Sequence, residues 1–466
     1  MGRIGPSQAY QESRPMSARA APAAGLPDPL DAVERAALLA EVEATVRAVV
    51  EDLEPDLEAD RRPGPGRPRV LPALALWSGV LVCVLRGLNH QRAVWRLLAA
   101  RGLWHYPRFA VTDQAVYNRL ERDGTDALER LFGAVGRLLA DRVARWAAGD
   151  LAPFATAVVA LDETTLDQVA RTLPALRDAP KGADALLPGK LAALFDLRTQ
   201  LFRRVAYLAD VHQNEKKAAR DLLDGLSKGA LVLADLGYFG FKWFDDLTDG
   251  GFWWVSKLRA KTSYEVVHAF YDRDGVFDGL VWLGKHRPDR AKHAVRLVVF
   301  PHGGVVYRYV TNVLDPALLP PVDRARLYAR RWDIELAFKL VKRHLGLHLL
   351  WSAKPGVVRQ QIWAVLTIAQ VVQALRVEIA GEAGVDVFEV SLPLLVEYLP
   401  ALLARGEDPV AVFVSEGRRL GFIRPSTRTA IRGPEIPPEH LIPRPPDLVL
   451  LREPRYAERK CGPRAA

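Results

Sequence analysis

Two short apolar runs, each closed by an acidic residue, limit the fold of this chain more than any other feature. Ala157 to Leu161 reads Ala-Val-Val-Ala-Leu and ends on Asp162, and Ala230 to Ala234 reads Ala-Leu-Val-Leu-Ala and ends on Asp235. Runs of this length, branched and without polar alternation, suit strands buried on both faces. Between them lie two β-rich segments, Leu191–Asp196 and Leu201–Ala209, joined by a turn at Arg198 to Gln200, and then a charged helix over about 214–227. If the two apolar strands are neighbours, both carboxylates emerge at one edge of the sheet. Either Asp alone is equally well a turn residue or a helix cap.

A third acid stands on the stretch from Leu327 to Lys342, which has neither Pro nor Gly and repeats its apolar residues at helical spacing. We read a helix over about 323–345. At about 100° per residue, Tyr328, Arg331, Glu335 and Lys342 fall within roughly 60° of arc. Leu327, Ile334, Phe338, Val341 and Leu345 form an apolar stripe beside that strip, which places Glu335 at the margin of a core. The plain alternative is a solvated face, because Arg331 and Glu335 are also an ordinary i,i+4 pair. The two strand-end aspartates move the balance toward a site.

The rest of the chain divides around this core. Residues 1–28 lack periodicity and read as disordered. Residues 29–150 read as a helical, DNA-end-binding domain, with segments at about 31–53, 71–86, 90–101, 112–122 and 125–147. Its interruption at Arg61 to Arg69 contains a Gly-Arg-Pro core whose Arg67 could enter a minor groove, although a basic linker explains it equally well. The helix at 112–122, capped by Thr112 or Asp113, offers Gln114, Asn118, Arg119 and Arg122 on its outer side, as a recognition helix does; an ordinary surface helix is the alternative. Residues 151–257 form the first part of an α/β core. Residues 258–314 form a β-rich insertion, with strands at Tyr264–Phe270, Phe277–Leu283, Ala294–Phe300 and Val305–Asn312 and turns at Asp274-Gly275 and His302 to Gly304. The core resumes with the helix of Glu335 over 315–350. A C-terminal helical region follows over 351–422, and a Pro- and Arg-rich tail, extended or disordered, over 423–466.

Composition narrows the partners. Sixty-four Lys and Arg against 55 Asp and Glu give a net charge of +9, which suits a polyanion. Two cysteines, Cys83 and Cys461, leave no disulfide framework and no Cys-based zinc site, and fit a reduced cytosol. No signal sequence opens the chain, and the run Val70 to Leu85 reads as a buried helix, not a membrane span.

Three carboxylates at one sheet edge repel unless counter-charge is present. Hard oxygen ligands favour Mg²⁺, with Mn²⁺ as substitute. Two such ions about 3.5–4 Å apart serve phosphodiester displacement. Against that background, Tyr328, Arg331, Glu335 and Lys342 match the Y-R-E-K signature of bacterial insertion-sequence DDE transposases of family 4, and the wider run from Arg331 through Trp332, Ile334, Glu335, Phe338 and Lys339 to Lys342 resembles that family further. The resemblance spans about 155–380. It implies an RNase H-like core in a mixed α/β, α+β fold, with Asp162, Asp235 and Glu335 as the DDE triad and two Mg²⁺ ions. It further implies cut-and-paste transposition through a DNA hairpin, acting on terminal inverted repeats and target DNA as a homodimer, in a bacterial, nucleoid-associated setting without a membrane. Tyr328, Arg331 and Lys342 would then hold DNA phosphates.

Two departures stand out. Leu236 follows Asp235 where many relatives carry Arg, and Tyr307 occupies the position at which some relatives stack a flipped base on Trp; Tyr can also stack. Trp253, Trp254 and Trp282 read as core. The competing functions are a catalytically inactive DNA-binding descendant, a metal-dependent nuclease of the same fold, and a two-carboxylate glycosidase. The last has no use for a Tyr, Arg and Lys in one strip.

Overall fold

The computed structural model describes residues 70–88, 90–101, 108–166, 175, 177–180, 189–285, 289–352, 354–426 and 432–456. Arg67, the Gly-Arg-Pro stretch, the helix expected at 31–53 and Cys461 lie outside the described residues.

One nine-stranded sheet organises the chain: β1 (Val158–Thr165), β2 (Lys190–Asp196), β3 (Leu201–Leu208), β4 (Leu231–Ala234), β5 (Trp253–Lys257), β6 (Tyr264–Arg273), β7 (Val276–Leu283), β8 (Val295–His302) and β9 (Val305–Thr311). Their spatial order is β3-β2-β1-β4-β5-β9-β8-β7-β6. β1 runs parallel to β4 and β4 to β5, whereas β2 is antiparallel to β1. This mixed α/β sheet is the RNase H-like arrangement that the resemblance implied. The β-rich insertion does not stand apart: β9 pairs with β5, so its four strands lengthen the same sheet. Its tight turns use positive φ at Asp274-Gly275 (53° and 76°) and at Gly303-Gly304 (58° and 76°), the conformation that right-handed hairpin twist demands.

Both faces are covered, which explains the unbroken apolar runs. Val158 and Ala160 point into one core and Val159 and Leu161 into another. On the first face lie α1 (Ala73–Leu85), α2 (Gln91–Arg96, continued by a π turn to Arg101), α3 (Asp113–Arg122), α4 (Asp126–Val143), α7 (Pro321–Ala329), α8 (Trp332–Lys339), α9 (Pro355–Ala383), α10 (Leu392–Ala404) and α11 (Pro409–Glu416). The second face holds α5 (Glu215–Leu223) and α6 (Phe241–Asp249). α9 is long and apolar enough to cross a membrane, but 94% of its apolar window is buried inside the molecule; it is a core helix. The run from Val70 is likewise buried along α1. Trp254 is buried and stacks on Phe244 at 4.1 Å, and Arg452 covers Trp282.

Residues 432–456 are extended, and they are docked. Arg455 and Leu451 bridge to Arg290 and His293, Arg452 donates to the carbonyl of Ala291, and the Tyr456 hydroxyl donates to Asp245 at 2.9 Å.

Candidate active site

Strand register brings the two aspartates together. Leu161 pairs with Ala234 as the last pair of the parallel ladder, so the next residues, Asp162 and Asp235, lie side by side, at a strand spacing of about 5 Å; Asp235 leaves β4 there, whereas Asp162, expected at a strand end, stands within β1, which runs on to Thr165 against β2. Asp162 Oδ1 accepts the N–H of Glu163 at 2.8 Å. Asp235 caps the single 3₁₀ turn after β4, its Oδ1 accepting the N–H of Gly237 at 2.7 Å. Both carboxylates are thus oriented by backbone amides.

The third acid arrives from a helix that is not continuous, which corrects the expectation of one helix over 323–345. α7 ends at Ala329, and i→i+3 bonds at Arg330, Arg331 and Asp333 tighten the chain before α8. Beyond Lys339 it widens into a π turn over Leu340–His344. The break has a tertiary cause. Asp333, 1% exposed, accepts from Arg330 Nε at 2.7 Å and from Gln200 Nε2 at 3.0 Å, which pins the start of α8 to the β2–β3 turn.

Arg331 joins the carboxylates. Its Nη2 donates to Glu335 Oε1 at 2.8 Å and its Nη1 lies 3.7 Å from Asp162 Oδ2. Burial pushes the Asp162 carboxyl up to about 7; the Glu163 amide and Arg331 oppose the shift, and Asp235 and Glu335 add to it. A group so placed favours a neutral state or a cation beside it. Among the described residues no group of three or more His, Cys, Asp or Glu side chains is placed closely enough to hold a metal ion. The donor chemistry nevertheless suits a hard divalent ion: Asp162 lies in electrostatic range of Asp235 and of Glu335, and Arg331 pairs with both Asp162 and Glu335.

The remaining signature residues sit around this centre. Tyr328 is 4% exposed, its hydroxyl donates to the carbonyl of Ala234 at 3.3 Å, and burial raises its pKa to about 12. Lys342, carried by the π turn, donates to Thr164 Oγ1 and to the carbonyl of Thr165 at 3.0 Å, and burial lowers its pKa to about 8. Tyr307 stacks on Phe300 at 5.6 Å and Tyr309 at 6.2 Å. With Tyr309, Tyr328, Lys257, Trp332 and His344 it lines a cavity of about 920 Å³, whose wall includes none of the three acids.

In the helical domain, Thr112 caps α3 by accepting the N–H of Ala115, and Gln114 and Asn118 are exposed and bonded to each other at 2.9 Å. Arg119 differs from expectation. It is 8% exposed, pairs with Asp123 at 2.7 Å and donates to the carbonyl of Leu71, so its side chain faces the fold and not the outer surface. An i,i+4 acid is common to both situations, which is why spacing could not separate them.

Glu163, Glu215, Tyr238, Lys257 and Trp332 also lie at or beside the centre, and sequence reasoning missed them. For Glu163 and Gly237 the signal was adjacency to the two aspartates; Glu215 had none beyond its place at a helix start.

Comparison with known proteins adds a family match over the region that holds these residues. The family model described as "Transposase DDE domain" matches residues 155–371. Transposase InsG for insertion sequence element IS4, from Escherichia coli (strain K12), is 25% identical over 287 residues, covering 58% of this chain and 62% of InsG. The chain therefore spans somewhat less than two thirds of that relative's length. Among solved structures, the piggyBac transposase synaptic complex with hairpin DNA aligns with a TM-score of 0.36 and 10% identity, over 82% of this chain and 79% of that one, a likeness too remote to argue from. By these comparisons, residues 155–371 are similar to a transposase DDE domain.

Proposed function

We propose that this chain is a DNA transposase that cleaves phosphodiesters at the ends of its own element and joins the freed 3′-hydroxyl to target DNA, by a cut-and-paste route through a hairpin intermediate. The observation that carries the reading is the placement of Asp162, inside β1, beside Asp235, just past the end of the parallel strand β4, with Glu335 tied toward Asp162 by Arg331.

In this reading Asp162, Asp235 and Glu335 hold two Mg²⁺ ions, or Mn²⁺ in their place, and the ions supply charge neutralisation and activation of a water or 3′-hydroxyl for in-line displacement. The residues themselves position the DNA. Arg331 and Lys342 offer cationic nitrogens on either side of Glu335. Tyr328 braces the end of β4 at Asp235, and the aromatic cavity beside Tyr307 is shaped to receive an unstacked base. The helical domain before residue 150 would read the terminal inverted repeats through Gln114 and Asn118. Two protomers would act together on paired ends, inside the bacterial cytoplasm at the nucleoid.

The test uses full-length protein, DNA carrying the inverted repeats that flank its gene, and Mg²⁺ or Mn²⁺. Asp162→Ala, Asp235→Ala and Glu335→Ala should each abolish nicking and retain end binding. Undiminished cleavage by any of the three would falsify the assignment, and cleavage without joining to target would leave a nuclease.

A further inference from the structure

The carboxyl ends of β1 and β4 hold more acid than the triad. Glu215 opens α5, on the sheet face opposite Glu335, and reaches the same edge. A Cβ built on Gly237 would lie 2.6 Å from Glu215 Oε2 and 2.9 Å from Asp235 Oδ1. The two carboxylates therefore face each other across a residue that has no side chain, whose own N–H holds Asp235 at 2.7 Å. The start of α5 is fixed there: Asn214 caps it, and Lys190 Nζ donates to the carbonyl of Gln213 at 2.7 Å while pairing with Glu163 at 2.5 Å. Glu163 thus has its own cation; among the described residues no basic side chain pairs with Glu215.

A second observation points into this cluster. Tyr238 is 2% exposed and its hydroxyl has no hydrogen-bond partner, although Glu163, Glu215, Asp162 and Asp235 all bear on it electrostatically. A buried hydroxyl left unpaired is costly, so its place among four carboxylates marks a spot where a bound polar ligand would satisfy it.

We infer that Glu215 is a fourth carboxylate of the divalent cation site, acting with Asp235, beside the unpaired Tyr238 hydroxyl. The inference rests on the metal-dependent reading above. Asp235 and Glu215 are hard oxygen donors, the type that Mg²⁺ and Mn²⁺ take at about 2.0–2.6 Å. Gly237 is required because any side chain would push Glu215 away.

The test is Mn²⁺ binding to the full-length protein by calorimetry, without DNA, for wild type, Glu215→Gln, Gly237→Ala and Asp235→Asn. We expect Glu215→Gln and Gly237→Ala each to weaken Mn²⁺ binding at least tenfold, with melting temperatures in chelator equal to or above wild type because repulsion at Asp235 is relieved. Mn²⁺ affinity unchanged in Glu215→Gln but lost in Asp235→Asn would overturn the role of Glu215 and leave the triad standing. Wild type that binds no Mn²⁺ would overturn both.

Discussion

Lys342 braces the fold, and under the proposed function it would also meet DNA. Its ammonium is buried against Thr164 and Thr165, and burial lowers its pKa from 10.5 to about 8. Above that pH the folded protein has released the proton that the unfolded chain still holds up to about 10.5, so on this account stability rises between the two values. DNA binding carries the opposite sign, because a phosphate prefers the charged form and must restore the proton. End-DNA affinity should therefore fall as pH rises through about 8, and Lys342→Arg, which cannot lose its charge, should flatten the profile. Binding isotherms between pH 6.5 and 9.5 check this, and identical profiles for the two proteins would make the lysine a structural brace. Arg119 is the contrasting case, a basic residue read from the sequence as a DNA contact whose guanidinium is committed to Asp123 and the carbonyl of Leu71.

Elements that bury two faces were legible and elements shaped by distant contacts were not. The runs before Asp162 and Asp235 contain only apolar residues because helices cover both sides of β1 and β4, so composition alone marked them. The break between α7 and α8 left no such mark. Neither Pro nor Gly occurs there, and the bend follows from Asp333 reaching Arg330 and Gln200, the latter 133 positions away in sequence. The same applies to Glu215, whose importance depends on a glycine beyond the following strand. Asp333→Ala should therefore leave Arg330 without its partner and let α8 drift from the β2–β3 turn. We expect a loss of about 3 kcal/mol, the low end for a broken buried pair because Arg330 keeps some access to water. Nicking should fall together with stability, since Arg331 stands at the start of α8 and Glu335 on its first turn. Denaturant midpoints with nicking rates check this, and a variant as stable as wild type would show the pair to be dispensable for the bend.

For the molecule as a whole, the β-rich insertion carries catalytic geometry because it is not a separate body. β9 pairs with β5 through Val255–Thr311, Ser256–Val310 and Lys257–Tyr309, and Tyr309 then packs against Tyr328 at 5.1 Å. The insertion thus supports the tyrosine that braces Asp235. Thr311 donates to the carbonyl of Trp254 and Asn312 accepts the N–H of Trp254, which closes the join with buried polar groups. From the other side, the strap of residues 432–456 ties the insertion to α6 through Tyr456 and Asp245. Breaking β5 from β9 would leave unpaired those of these groups that stay buried, at a cost of about 1–3 kcal/mol each, so the insertion and the core should open together. Native-state hydrogen exchange is expected to give amides of β8 and β9 the same opening free energy and denaturant dependence as those of β4 and β5. A distinct, less stable unit covering β6 to β9 would instead make the insertion a module that rocks on the core, and would remove the rigid support argued here for Tyr328.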